Sequence, residues 1–180
     1  MINIDLKEIL LERKFGRVEL GDSVESTIAH LGEPDFRGFF DDNRYGIRYG
    51  WFEFYFEDDK LEFFMNKHAL DLDYQFSIVF NYSNDKFHVA TSFLDCEEDM
   101  KIKHFEHWLD KIGVNYVKKP FWDSIKLVIN AETEIMFYNK QLESRDIKSQ
   151  NELGTMSSLF EDQENWVFAG FYILKNKGEI

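Results

Sequence analysis

Along the first third of the chain the apolar positions recur with a helical period and then switch to alternation. In GDSVESTIAHLGEP, residues 21–34, Val24, Ile28 and Leu31 recur at i, i+4 and i+7, and Asp22 and Glu25 have capping-box spacing. Gly32 fits the position just past a helix, and Pro34 forbids continuation. Residues 3–14 also read as helical, with Asp5 as cap, Glu8 three later, and Leu6, Ile9 and Leu10 as a short stripe. A third helix is predicted over 97–112, with Asp95 before it, Glu98 three later, Ile102, Phe105, Leu109 and Ile112 on one stripe, and Gly113 closing it. Elsewhere the period is two, which predicts strands near 36–40, 45–56, 60–67, 74–82, 86–94, 114–119, 124–130, 133–138, 142–148 and 166–174. The polar stretch 149–165 reads as loop.

The segment FEFYFEDDKL, residues 52–61, predicts a hairpin turning on Asp58 and Asp59. A regular register then sets Phe56 opposite Leu61, Phe54 opposite Phe63 and Phe52 opposite Met65 on one apolar face. The other face pairs Tyr55 with Glu62, Glu53 with Phe64 and Trp51 with Asn66. Shifting the chain by 81 residues aligns 22–67 with 103–148 without gaps, with identities that include Glu25/Glu106, Gly32/Gly113, Phe40/Phe121, Glu53/Glu134 and Phe56/Phe137. In the second copy Phe137 falls opposite Leu142 and Ile135 opposite Ser144 inside, with Glu134 opposite Arg145 and Met136 opposite Glu143 outside. This predicts an α+β fold, a tandem of two units, each a helix packed on one face of an antiparallel β-sheet. The alternative is two unrelated helix-and-meander units that share generic patterning. Residues 1–94 would hold the N-terminal helix and first unit and 95–180 the second, or the whole would be one continuous domain. One face of each sheet stays available.

The run LGDSVESTIAHLGEP followed by YGWFEFYFEDDKLEFF resembles the helix-then-hairpin signature of the outer-membrane assembly small lipoprotein and β-lactamase-inhibitor-protein-like folds. A related pattern occurs in some immunity proteins of bacterial toxin systems. The likeness rests on Gly21, Leu31, Gly32, Pro34, Phe56 and Leu61, all structural positions. The chain departs from the lipoproteins in lacking a signal peptide and a lipid-attachment cysteine, so their membrane role does not carry over. What the resemblance implies is a fold whose members bind other proteins with a sheet surface.

Composition adds weight to a binding role. The chain is 17% aromatic, with 19 Phe, 8 Tyr and 4 Trp, and large rings bring much buried area per residue. Its net charge of −13 repels phosphate backbones and anionic headgroups and speeds encounter with a basic protein. A single cysteine, Cys96, excludes an internal disulfide and fits a reducing compartment. The first fourteen residues are too charged for a signal core, and no run approaches the roughly 20 apolar residues of a membrane helix. The expected location is the cytoplasm.

Rings interleaved with glutamate on an outer sheet face have the make-up of interface hot spots, which selects Trp51, Glu53, Tyr55, Glu62 and Phe64, with Glu134, Met136 and Tyr138 as second-copy equivalents. The competing explanation is that another element covers this face. His104 and His107 stand at i, i+3, a spacing able to hold one metal, but no second cysteine or carboxylate cluster joins them, and a solvated helix face explains them more simply. Cys96 lies among Asp95, Glu97, Glu98 and Asp99, which raise a thiol pKa. There is no G-x-S-x-G and no glycine-rich phosphate loop, and the pairs Asp41/Asp42 and Asp58/Asp59 fall at turns. The expectation is a non-enzymatic, cofactor-free immunity-type protein that neutralises a toxin domain, such as a basic nuclease, and is a monomer or weak homodimer when free. The alternatives are a small metal-dependent hydrolase and a self-associating structural module.

Overall fold

Phe52, Phe54 and Phe56 alternate with Glu53, Tyr55 and Glu57, and the alternation becomes a strand whose one side is walled by rings. The computed structural model describes residues 1–41, 44–67, 82–90, 101–121, 124–139 and 166–175. Their strands, in chain order, are β1 (Ile2–Asp5), β2 (Lys14–Phe15), β3 (Val18–Glu19), β4 (Phe36–Asp41), β5 (Arg44–Tyr49), β6 (Phe52–Glu57), β7 (Lys60–Lys67), β8 (Phe87–Ala90), β9 (Tyr116–Phe121), β10 (Ser124–Ile129), β11 (Thr133–Asn139) and β12 (Trp166–Leu174). The helices are α1 (Leu6–Glu12), α2 (Val24–Leu31) and α3 (Ile102–Lys111).

The expected tandem of separate helix-on-sheet units is overturned. Eight strands form one antiparallel sheet in the order β4-β5-β6-β7-β12-β11-β10-β9, and strand outweighs helix. The two meanders meet at β7 and β12, where Gly170 pairs with Lys67 and Leu174 with Phe63. The physical reason lies in the edges: a meander ending at β7 leaves a row of unpaired N–H and C=O groups, and β12 fills it. The sheet therefore crosses the boundary between the two sequence halves. Beside this sheet, the described residues form the parallel pair β1–β8, the hairpin β2–β3 and the three helices.

All of these cover one face of the sheet, here called inner. Phe15 is fully buried there, with ring centroids 5.0 Å from Phe52, 5.1 Å from Phe54, 6.1 Å from Phe64 and 5.4 Å from Phe87. Leu6, Ile9 and Leu10 of α1 join the same cluster. On the other half, Phe105 of α3 stacks on Phe168 at 5.1 Å and meets Phe137 edge-on at 5.2 Å.

Local signals are read partly as expected. Asp5 caps α1 by accepting from the Lys7 amide, but residues 2–5 are strand because Ile2–Asp5 pair with Phe87–Ala90. At α2 the cap is Ser23, whose Oγ accepts from Ser26 N, while Asp22 accepts from Glu19 N. The Val24 amide donates to Asp59 Oδ1 at 3.1 Å, so the β6–β7 turn helps close the start of α2. The proposed cap of the third helix at Asp95, the strand at 142–148 and all but Tyr82 of the strand at 74–82 lie outside the described residues. α3 itself starts at Ile102 after an N-cap at Lys101.

The predicted strand 45–56 is a hairpin instead. Gly50, at φ +57°, and Trp51 turn the chain so that Tyr49 pairs with Phe52, and the Gly50 amide donates to Asp35 Oδ2 at 2.6 Å. Eighty-one residues on, Ala131 holds the same left-handed conformation at φ +59°, in the turn between β10 and β11. A Cβ costs about 1–2 kcal/mol there, while glycine adds about 0.5–1 kcal/mol of unfolded-state freedom. Ala131→Gly is therefore expected to stabilise by about 0.5–1 kcal/mol, read as a higher urea midpoint. Gly50→Ala is expected to destabilise, because the added Cβ would lie 2.5 Å from Tyr82 Cδ2.

Candidate functional site

The register assembles the outer face row by row. One row crosses all eight strands: Phe36, Arg48, Glu53, Met65, Tyr172, Glu134, Val128 and Val117, each paired with the next. Glu53 and Glu134, 81 residues apart in sequence, thus flank a central Met65–Tyr172 pair. A neighbouring row runs Gly170, Met136, Lys126 and Lys119, and beyond it Tyr138, Ser124 and Phe121 share the face.

Five of the sequence-selected residues, Glu53, Tyr55, Glu134, Met136 and Tyr138, come together on this face. Trp51 sits in the turn before β6, half-buried, and packs against the core cluster. Phe64 does not belong to the face: it is 1% exposed and stacks on Phe54 at 5.5 Å within the core. The cause is a β-bulge. Phe56 pairs with Leu61, as a two-residue turn requires, but Tyr55 pairs with Phe63, so Glu62 is the extra residue. From there the parity of β7 is reversed, and Phe54 faces Phe64 while Phe52 faces Asn66, correcting the regular register. Glu62 is held by Lys175, whose Nζ donates to it at 2.6 Å. The second-copy pairings with Leu142, Glu143, Ser144 and Arg145 fall outside the described residues, and both sides of β11 are taken by β10 and β12.

The rings on the face touch one another and carry cations. Tyr55 stacks on Phe63 at 4.4 Å and lies 4.9 Å from Phe40, whose ring also covers Gly46. Arg48 stands 5.5 Å from the Phe36 centroid, Arg44 6.0 Å from that of Tyr55, and Lys126 Nζ 4.5 Å from that of Phe121. Each such contact contributes about 0.5–1 kcal/mol at an exposed site. Phe36, Val117 and Phe121, near the two ends, are exposed, while Tyr55, Met65, Val128 and Met136 are buried.

The glutamates are already engaged. Tyr55 Oη donates to Glu53 Oε2 at 2.6 Å, and Lys126 Nζ donates to Glu134 Oε1 at 2.8 Å. Glu53 and Glu134 are separated by three interstrand steps, about 14 Å at about 4.8 Å per step. The carboxylate pairs of glycoside hydrolases stand roughly 5–9.5 Å apart. His104 Nδ1 accepts from the Lys101 amide at 3.4 Å, and among the described residues no group of three or more His, Cys, Asp or Glu could hold a metal. Nor, among the described residues, is any helix long and apolar enough to cross a membrane.

No protein-family model, curated protein or solved structure matches the chain.

The likeness of residues 20–34 and 49–64 to the families named above therefore rests on those residues alone. Sequence reasoning missed Tyr172, Met65 and Phe63, which fill the middle of the face. For β12 the strand was legible, but its partners were not. For Met65 and Phe63 the bulge at Glu62 left no trace in the hydrophobic pattern, since Phe63 and Phe64 are the same residue type.

Among the described residues five tyrosines are shifted upward, with a measurable consequence. Burial, then the hydrogen bond to Glu53, raises Tyr55; burial, then Glu134 and Glu53, raises Tyr172. Burial, then Asp35, pushes Tyr82 up to about 12 from 10.0. Tyr49 and Tyr116 are raised in the same direction, first by burial. A group with a raised folded pKa contributes stability that is intact below its unfolded value and lost as pH rises through the folded one. Stability is thus expected to fall from about pH 10 upward, for Tyr82 over pH 10.0 to about 12. Tyrosinate absorbance and circular dichroism recorded together should show the buried phenols ionising only as the sheet unfolds.

Proposed function

We propose that this chain is a cytoplasmic immunity-type protein that binds and neutralises a toxin domain through the outer face of its eight-stranded sheet. The observation that supports the reading best is the face itself. Residues from both halves of the sequence share it, and the rings near its two ends are open, Phe36 37% and Phe121 42% exposed, while Tyr55, Met65 and Met136 between them are buried. Large rings left in water gain nothing from exposure, and a partner that covers them gains about 25 cal/mol per Å² of apolar area. The net charge of −13 favours encounter with a partner that is basic overall. On the described face, however, the glutamates are paired and cations lie on rings, so the acidity acts through the long-range field more than through contact.

The test is co-production with the toxin domain encoded beside its gene. Wild-type chain should restore growth, and Phe36→Ser combined with Phe121→Ser should lose protection by about tenfold or more in titre while melting as wild type does. Both positions are exposed, which keeps loss of binding separate from loss of fold. Absence of such a neighbour, or protection undiminished in the double variant, would overturn the assignment.

A further inference from the structure

Arg48 lies at one end of the outer face, exposed, with its guanidinium over the Phe36 ring. Its pairing partner across the strands is Glu53, whose carboxylate is taken by the Tyr55 hydroxyl. Among the described residues the Arg48 guanidinium has no hydrogen bond and no ion pair. Five N–H donors in a planar fork are thus presented where an aromatic ring holds them in place. Next to them is an open recess of about 270 Å³ lined by Arg48, Gly50, Trp51 and Glu53. The Gly50 amide is occupied by Asp35, so within this recess Arg48 supplies the charge that draws an anion.

The recess selects among anions. Its volume falls below the roughly 300–1,000 Å³ of drug-sized sites, which suits one side chain. A guanidinium binds a carboxylate through two parallel N–H···O bonds, with the Phe36 ring beneath it and Trp51 among the residues that line the recess. A phosphate backbone fits less well. Nucleic-acid affinity accumulates over several neutralised phosphates, and this recess offers the one guanidinium of Arg48.

We propose that the Arg48–Trp51 recess receives an Asp or Glu side chain from an acidic, aromatic-containing segment of the protein partner. The assignment rests on the reading of the outer face as a partner surface, and names the part of the partner that docks at this end. It is local and compatible with a partner that is basic overall. Segment and recess form a charged anchor at one end, while the exposed Phe121 and Val117 serve the opposite end.

Fluorescence polarisation with labelled short peptides tests it directly. Peptides alternating glutamate with phenylalanine should bind the intact chain, and R48E should weaken them by about tenfold or more, with R48K retaining part of the affinity. The matching glutamine–phenylalanine peptide should bind no better to wild type than the glutamate peptide binds to R48E. Failure of the glutamate peptide to bind, equal binding of the glutamine peptide, indifference to R48E, or tighter binding of oligo-deoxythymidine would each overturn the assignment. Arg48 is exposed, and a melting curve of R48E matching wild type shows that the fold is kept. The protection assay separates the two readings. Protection that survives R48E but is lost in Phe36→Ser with Phe121→Ser removes the acidic segment and leaves the face. Absence of protection by the wild-type chain removes the functional reading whatever the peptides do.

Discussion

Replacing Phe15 with alanine is expected to lower the unfolding free energy by about 3–5 kcal/mol, the range for deleting a fully buried phenylalanine. Phe15 comes from β2, a strand of two residues, yet its ring lies against Phe52, Phe54, Phe64 and Phe87 at once. Each of those contacts is edge-on, the geometry in which a ring's positive rim meets a negative face, so the loss exceeds area alone. Against a typical total of about 5–15 kcal/mol, this one substitution should leave much of the chain unfolded near body temperature. Urea titration followed by circular dichroism measures it. A loss under about 1 kcal/mol would mean that the β2–β3 hairpin does not close the core.

The second large effect tests the bulge. Phe64→Asp should prevent folding or cost more than about 4–5 kcal/mol, because it removes a fully buried ring and places a carboxylate in an apolar core. Phe63→Asp, one residue away on the opposite face, should cost about 2 kcal/mol or less, chiefly its stack on Tyr55. A regular hairpin from Asp58 and Asp59 gives the reverse ranking, with Phe63 facing Phe54 in the core. Soluble yield and melting temperature of the two variants decide between the registers. Greater damage from Phe63→Asp would remove the bulge and return Phe64 to the outer face.

The candidate face was legible where pairing was local. Glu53 and Tyr55 were placed by the parity of FEFYFE, and Glu134, Met136 and Tyr138 by the parity of TEIMFY, because side chains alternate with period two whatever lies across the strand. Phe64 was misplaced because parity counted through a turn holds only while the register is regular, and one extra residue at Glu62 reverses it. Arg48 was passed over because 45–56 read as one strand. The turn at Gly50 hangs on its left-handed backbone and on a hydrogen bond to Asp35, fifteen residues earlier, and neither shows in hydrophobic spacing. Tyr172 could be assigned to a strand but not to a neighbour.

By itself the sequence determined the strands and helices with strong periodicity, the two-residue turn at Asp58 and Asp59, the helix closed by Gly32, and which side of β6 and β11 carries rings towards the core. These follow from backbone geometry and local chemistry, which act within a few residues. Only the tertiary structure decided that two meanders become one sheet, that β12 inserts between β7 and β11, and that Glu53 and Glu134 flank a common centre at Met65 and Tyr172. Those outcomes depend on satisfying every backbone donor and acceptor along a strand edge and on the space that rings from distant segments fill together, and both are settled between residues far apart in the chain.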